Sequence, residues 1–301
     1  MRQFWIPAAK SSELIADRDP VRLMLLSEKL IAFRDTSGRV GIMDQFCPHR
    51  CASLFFGRNE ENGIRCVYHG WKYDVDGNCL DMANVPTHRD FKHKVKARAY
   101  PARDQWGAVW IYMGGRETPP PFPDFELNDL AESDIEVRMI QQEYNWLQGL
   151  DGLADSAHIG ILHQDFLGNV PGNPEVAEAA KDNAPTYEFQ PRPAGFRFAA
   201  MRKLSGGRRY CRISEFVAPG FVFVSYPMQG YVMCFVPTNN QQSTQFLFQY
   251  NLHGKVQVEA SSLDDPANWP PYPSQGAEAY WGQNREAMTQ RGAFSGFSIH
   301  T

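Results

Sequence analysis

The chain has 301 residues, 43% of them hydrophobic and 21% charged, with a formal net charge of −4 and six cysteines. That length suffices for two domains, each burying its own core, and the acidic balance with basic residues read as scattered argues against a nucleic-acid partner. No apolar run approaches the roughly eighteen residues of a membrane span, residues 1–10 show no secretory h-region, and the cysteines follow no framework spacing, so the expected location is cytoplasmic.

Phe4-Trp5-Ile6-Pro7 opens the chain as an aromatic anchor. Residues 21–26, 30–34 and 40–43 read as short strands, with Asp35-Thr36-Ser37-Gly38 as a turn between the last two. Next comes Cys47-Pro48-His49, and sixteen residues later Cys66-Val67-Tyr68-His69. Two thiolates and two imidazoles can serve one inorganic centre, and ligand chemistry alone leaves two candidates: a structural zinc, or a Rieske [2Fe-2S] cluster with two cysteines on one iron and two histidines on the other. In the common zinc finger cysteines pair with cysteines and histidines with histidines, whereas each half-motif here is mixed, as suits two loops that each give one ligand to each iron. Asp74-Val75-Asp76-Gly77-Asn78 then reads as a turn, which places the ligands on tight hairpin loops. Cys79, Cys211 and Cys234 lie in strand-like surroundings and read as small buried hydrophobes.

Strand-like runs continue at 95–99 and 108–113. Thr118-Pro119-Pro120-Pro121-Phe122-Pro123 cannot continue a sheet and reads as a stiff linker. The expected partition is therefore an all-β domain at 1–116, a linker at 117–124 and a second domain at 125–301. Beyond the linker, residues 135–144 read as a strand, 145–162 as a helix, and 168–185 as a loop rich in Gly, Pro and Asn. Strands follow at 195–203, 208–217, 221–226, 231–236 and 244–252, and a helix at 276–290. Strands separated by turns, with helices beside them, predict an antiparallel sheet in an α+β fold.

The expected helix carries Asp155-x-x-His158-x-x-x-x-His163. Two histidines and a carboxylate with open positions are the donor set of non-haem Fe(II) oxygenases. Residues five apart on a regular helix point about 140° apart, so His158 and His163 can converge only if the helix bends or ends between them, and Gly160 lies in that gap. Asp155 and His158 share a face.

The flanks of the two half-motifs, Pro48-His49-Arg50 and His69-Gly70-Trp71-Lys72-Tyr73-Asp74, resemble the cluster loops of the Rieske family, and Asn145-Trp146-x-Gln148 with Asp155, His158 and His163 resembles the mononuclear-iron region of Rieske non-haem iron aromatic ring-hydroxylating oxygenase alpha subunits. The likeness spans nearly the whole chain and is greatest to the branch with phthalate and phenoxybenzoate dioxygenases. It implies that Cys47, His49, Cys66 and His69 hold the cluster, that His158 and His163 hold the iron, that Asp155 bridges the iron's histidine to a cluster histidine of a neighbouring subunit, and that Asn145 lies near the iron. Respiratory Rieske proteins tie their two loops with a disulfide; Cys51 sits where one such cysteine could lie, but Tyr68 holds the partner position, so no bridge is expected.

The resemblance further implies electrons from NAD(P)H through a separate flavin- or ferredoxin-type reductase, dioxygen activation beside an aromatic substrate, and a homotrimer or dimer of trimers. In the family the iron's carboxylate comes from a segment just after the part resembling 284–288 and 294–297. No acidic residue follows Glu286, so the expectation is a fragment of a longer protein, with Asp151 or Asp155 as local substitute ligands. Two alternatives stay open: a monooxygenase or O-demethylase on the same scaffold, and a Rieske electron carrier, which leaves nearly two hundred residues unused.

Overall fold

The computed structural model describes residues 1–164, 174–225, 230–251 and 283–290. By compactness the chain divides into two units, one built from Met1–Leu147 and Val232–Lys255, the other from Gln148–Tyr231 and Val256–Thr301.

The first unit begins with β1 (Trp5–Lys10), β2 (Val21–Leu25), β3 (Glu28–Arg34) and β4 (Val40–Asp44). The short strands β5 (Arg58–Glu60), β6 (Gly63–Arg65), β7 (Trp71–Tyr73) and β8 (Cys79–Met82) follow, then β9 (Ala99–Tyr100), β10 (Ala102–Gln105) and β11 (Ala108–Tyr112). They form three antiparallel sheets in the orders β1-β11-β10, β2-β3-β4-β9 and β5-β6-β7-β8. Strand β11 is a continuous apolar run between two neighbours and is buried throughout. Each of Val109, Trp110 and Ile111 removed from water contributes roughly 1.5–3 kcal/mol. The meander β5-β6-β7-β8 packs Ile64, Trp71, Tyr73 and Met82 against Ile31, Phe33 and Met43. The turn between β7 and β8 needs Gly77, which has φ +83° and leaves no room for a Cβ against the carbonyl of Ala97.

The proline run is not a free tether. Trp5 Nε1 donates to Pro120 O at 2.9 Å, and Phe122 fits among Trp5, Trp106 and Trp110. Strand β12 (Ile135–Gln142) then leads to helix α1 (Trp146–Ala154), and helix α2 (Pro174–Ala179) comes next among the described residues. In the second unit β13 (Thr186–Arg192), β14 (Gly195–Lys203), β15 (Arg209–Val217) and β16 (Phe221–Ser225) form an antiparallel meander. Strands β17 (Gly230–Pro237) and β18 (Ser243–Tyr250) return the chain to the first unit, where β18 pairs with β12 from Ile135↔Tyr250 to Gln142↔Ser243. Phe248 of β18 stacks on Trp110 at 5.6 Å. Helix α3 (Arg285–Thr289) is capped by Asn284, whose Oδ1 accepts from Ala287 N at 2.9 Å.

The α+β architecture is the expected one, with five local corrections. Residues 95–99 are not a strand: a 3-10 turn at Lys92–Lys94 precedes them, and only Ala99 and Tyr100 join the sheet. Part of the expected 168–185 loop is helix α2, which begins at a proline, a residue preorganised for the first helical position. Strand β13 went unpredicted because it is an exposed edge with no inward and outward alternation and with Pro191 near its end. The expected helix 145–162 stops at Ala154. Cys211 is exposed, on the outward-facing side of β15, whereas Cys79 and Cys234 are buried as expected. The expectations for 168–173, Tyr226, Leu252, 276–282 and 294–297 lie outside the described residues. Among the described residues no helix is long and apolar enough to cross a membrane.

Candidate metal centres

Two tight turns carry the four cluster candidates, and their backbones follow one plan. In the first, after β4, Cys47 N donates to Ala52 O at 2.9 Å and Cys51 N to Cys47 O at 2.8 Å. In the second, between β6 and β7, Cys66 N donates to Trp71 O at 2.8 Å and Gly70 N to Cys66 O at 3.0 Å. Each turn closes with its fifth residue in the left-handed region: Gly70 at φ +74° and Cys51 at φ +56°. Glycine adopts that conformation without cost and cysteine does not, so Cys51 occupies the more strained position.

Within these turns the cysteines point inward and the histidines outward. Cys47 and Cys66 are each 2% exposed and belong to the core cluster with Ile31, Leu54 and Tyr73. His49 and His69 are half-buried, with ring centroids 4.6 Å apart. Trp71 lies flat on His49 at 4.1 Å with an interplanar angle of 2°, and its Nε1 donates to Asn84 Oδ1 at 2.7 Å. Tyr68, at the tip, is 63% exposed. All six cysteines are free.

Burial pushes the Cys47 thiol up, the Tyr73 hydroxyl 3.4 Å from its sulfur works the other way, and neighbouring Cys66 adds to the rise. The buried Cys47 thiol thus resists ionisation in its apolar surroundings, and bound iron would supply the positive charge that stabilises its thiolate. Among the described residues no group of three or more His, Cys, Asp or Glu side chains gathers around one ion position. That division into an inner thiol pair and an outer imidazole pair suits two irons and disfavours one tetrahedral zinc, which needs all four donors around one point.

The second candidate site is made by a helix ending. Asp155 N closes α1 on Asp151 O at 2.9 Å, and a 3-10 turn then runs over Ala157–Gly160. The Asp155 carboxylate caps that turn: Oδ1 accepts from Ala157 N at 2.7 Å and Oδ2 from His158 N at 3.0 Å, with His158 Nδ1 also 3.1 Å from Oδ2. Burial raises the carboxyl's pKa, but the two backbone N–H groups and the imidazole together outweigh it and hold Asp155 below the usual carboxylate range. Arg202, 2% exposed on β14, grips the connecting residue, donating from Nη1 to Ser156 Oγ at 3.1 Å and from Nη2 to Ser156 O.

The α-helix therefore stops at Ala154, before His158, and the 3-10 turn that follows ends at Gly160, in the gap between the two histidines. Glycine at 160 serves close packing: a Cβ would meet the carbonyl of Ala180 at 2.9 Å and the side-chain oxygen of Asn183. The two imidazoles do come together, with centroids 5.2 Å apart at 74°. Burial, then the nearby His158 and Arg212, push the His163 pKa down to about 4, so its ring is neutral near pH 7 and able to bind a metal. Its Nδ1 is buried and, among the described residues, has no hydrogen-bond partner.

Asn145 works in the scaffold: its Oδ1 accepts from Leu147 N at 2.9 Å and its Nδ2 donates to Asn240 O at 2.8 Å. Asp151 is exposed on α1. The residues present thus fit a two-iron cluster, and they supply two imidazoles and an orienting carboxylate for a mononuclear iron. One surface feature also departs from the sequence reading, because the basic residues are not evenly scattered: Arg89, Lys92, Lys94, Lys96 and Arg98 fall within ten positions.

Residues 4–97 match the family described as Rieske [2Fe-2S] domain, and residues 111–298 match the family described as LigXa C-terminal domain like. The 3-chlorobenzoate-3,4-dioxygenase oxygenase subunit of Comamonas testosteroni is 40% identical over 271 residues, covering 88% of this chain and 61% of that protein. The phthalate 4,5-dioxygenase oxygenase subunit of Pseudomonas putida is 40% identical over 236 residues, 74% of this chain and 53% of that protein. The chain thus spans less than two thirds of the length of these curated relatives. A crystal structure of dicamba monooxygenase bound to 3,6-dichlorosalicylic acid shares the fold with a TM-score of 0.69 at 19% identity, covering 97% of this chain and 89% of that one.

Proposed function

Because the chain belongs to the Rieske oxygenase alpha-subunit family, with a Rieske [2Fe-2S] domain followed by a LigXa C-terminal-like domain, we propose that it is the terminal oxygenase part of a multicomponent system acting on an aromatic carboxylate or aryl ether. The observation that carries this reading is the pair of matched turns with thiols inside and imidazoles outside. In it Cys47, His49, Cys66 and His69 hold the cluster, and His158 and His163 hold a mononuclear iron. When bound, the cluster supplies one-electron transfer and the iron supplies dioxygen activation.

The chain's own groups do the positioning. Asp155 fixes the His158 ring through Nδ1, leaving Nε2 available for metal, and its low pKa keeps it an acceptor at neutral pH. In a trimer the same carboxylate would reach a cluster histidine of the neighbouring subunit. The domain partition at 1–116, 117–124 and 125–301, a cytoplasmic location, and NAD(P)H supplied through a separate reductase belong to the same proposal.

The test is turnover with a reductase, labelled dioxygen and a panel of aromatic acids and aryl ethers, using protein loaded with cluster and iron. Two labelled oxygens in a ring diol support dihydroxylation. One labelled oxygen, or loss of an O-methyl group, moves the assignment to monooxygenation or demethylation. A loaded, reducible protein with no product from any substrate would leave an electron carrier.

A further inference from the structure

Residues 89–98 hold five Arg or Lys side chains and one acidic residue, Asp90, in a chain whose net charge is −4. A charge run is ordinarily a solvated face, but this one is strapped to the β7–β8 turn that follows the second cluster turn. Ala97 N donates to Gly77 O at 2.7 Å, Cys79 N to Val95 O at 3.3 Å, and Asn78 bridges Lys96. Val95 packs on the core that contains Cys47 and Cys66, and Asp90 Oδ1 pins Lys92 N at 2.8 Å.

The basic side chains point outward from this fixed backbone. All five are exposed; Lys92 meets Asp90 at 3.1 Å and Arg98 meets Glu28 at 3.4 Å, while among the described residues Arg89, Lys94 and Lys96 form no ion pair. In their midst Phe91 is 40% exposed and meets Trp71 edge-on at 5.9 Å, and Trp71 is the indole stacked on His49. An unbroken aromatic contact therefore runs from the surface to a cluster-ligand candidate, and its outer end has a cationic rim.

We propose that this segment is the docking surface for an acidic iron–sulfur electron-donor protein, with Phe91 at the centre of the contact and Arg89, Lys92, Lys94 and Lys96 around it. The proposal rests on the cluster reading above and locates its donor. In the step served, the donor's reduced iron–sulfur centre loses one electron and the Rieske cluster gains it, with no covalent bond made or broken. Opposite charges speed such encounters, an effect that salt screens, while a buried aromatic anchor sets the geometry once contact is made.

The probe is an acidic plant-type [2Fe-2S] ferredoxin. Its reduced form is mixed with the cluster-loaded full chain in stopped flow across a salt series, and binding of its oxidised form is followed by fluorescence anisotropy. The Lys92→Glu/Lys94→Glu/Lys96→Glu variant should lose about tenfold or more in second-order rate at low salt, bind oxidised ferredoxin correspondingly less, and show a flattened or inverted salt dependence. Its reduction by uncharged photoreduced deazariboflavin should be unchanged. The milder Lys94→Gln/Lys96→Gln variant should show the same pattern at smaller size, and Phe91→Ala should slow transfer while keeping the salt slope. Parent-like rates, binding and salt slope in both charge variants would overturn the proposal, as would a parallel loss with deazariboflavin. If the parent has no reducible cluster, the family reading of the site fails, and the binding arm still decides the surface: charge-dependent binding supports it and charge-independent binding overturns it.

Discussion

The two candidate sites are built in opposite ways. The cluster turns are closed by hydrogen bonds between residues four and five apart, and all four ligand candidates fall between Cys47 and His69. The His158–His163 site depends on a helix ending, on a carboxylate cap, on an arginine from a strand more than forty residues away, and on a glycine packed under Ala180. A site made from local turns tolerates change elsewhere in the fold, whereas one assembled from tertiary contacts responds to each of them.

The largest expected effect is on the locally built site. Cys66→Ala should abolish the cluster, measured as loss of acid-labile sulfide and visible absorbance, because one buried thiol cannot hold one side of it alone. Retention of a full cluster would break the comparison at its first term.

Next is Asp155→Ala, which should leave the cluster intact but reduce turnover by about 10–100-fold, the usual effect of losing a carboxylate behind a metal-ligating histidine. Loss of the cap on the 157–160 turn should also cost about 1 kcal/mol in denaturant unfolding. Turnover close to that of the parent would remove Asp155 from the site.

Gly160→Ala should destabilise the protein by about 1–3 kcal/mol, the cost of overpacking, since the new methyl group would press on the carbonyl of Ala180. Thermal unfolding of the iron-free protein measures it. An unchanged melting temperature would mean that Ala180 and Asn183 give way and that close packing does not require glycine there.

The smallest effect concerns pH. His163 has a folded pKa of about 4 against an ordinary 6.5, so between those values the unfolded chain binds the extra proton. Stability of iron-free protein should therefore be unaffected by this group above about pH 6.5 and decline as pH falls towards 4. In His163→Phe that part of the decline should vanish, as read from melts over the same range.

The same contrast decided what could be read from the sequence. The cluster ligands and the Asp74–Asn78 turn were legible because the residues that make each turn are neighbours in the chain. The pairing of His158 with His163 was expected, and the 3-10 turn does end at Gly160 between them; the earlier stop of α1 at 155–156 was missed, although the Asp-Ser-Ala signal of its carboxylate cap was there to be read. The Arg202 grip on Ser156 and the orphaned His163 Nδ1 arise from packing between distant segments and have no local signature. The basic segment at 89–98 was visible as composition, and only its attachment beside Trp71 and His49 gave it meaning.

The central claim is that the two mixed half-motifs hold a two-iron cluster. Metal and acid-labile sulfide analysis of the purified chain, with an EPR spectrum after dithionite reduction, tests it most directly. The account predicts two labile sulfides, at least two irons and a Rieske-type signal that is lost in Cys66→Ala; about one zinc, no labile sulfide and no signal would contradict it.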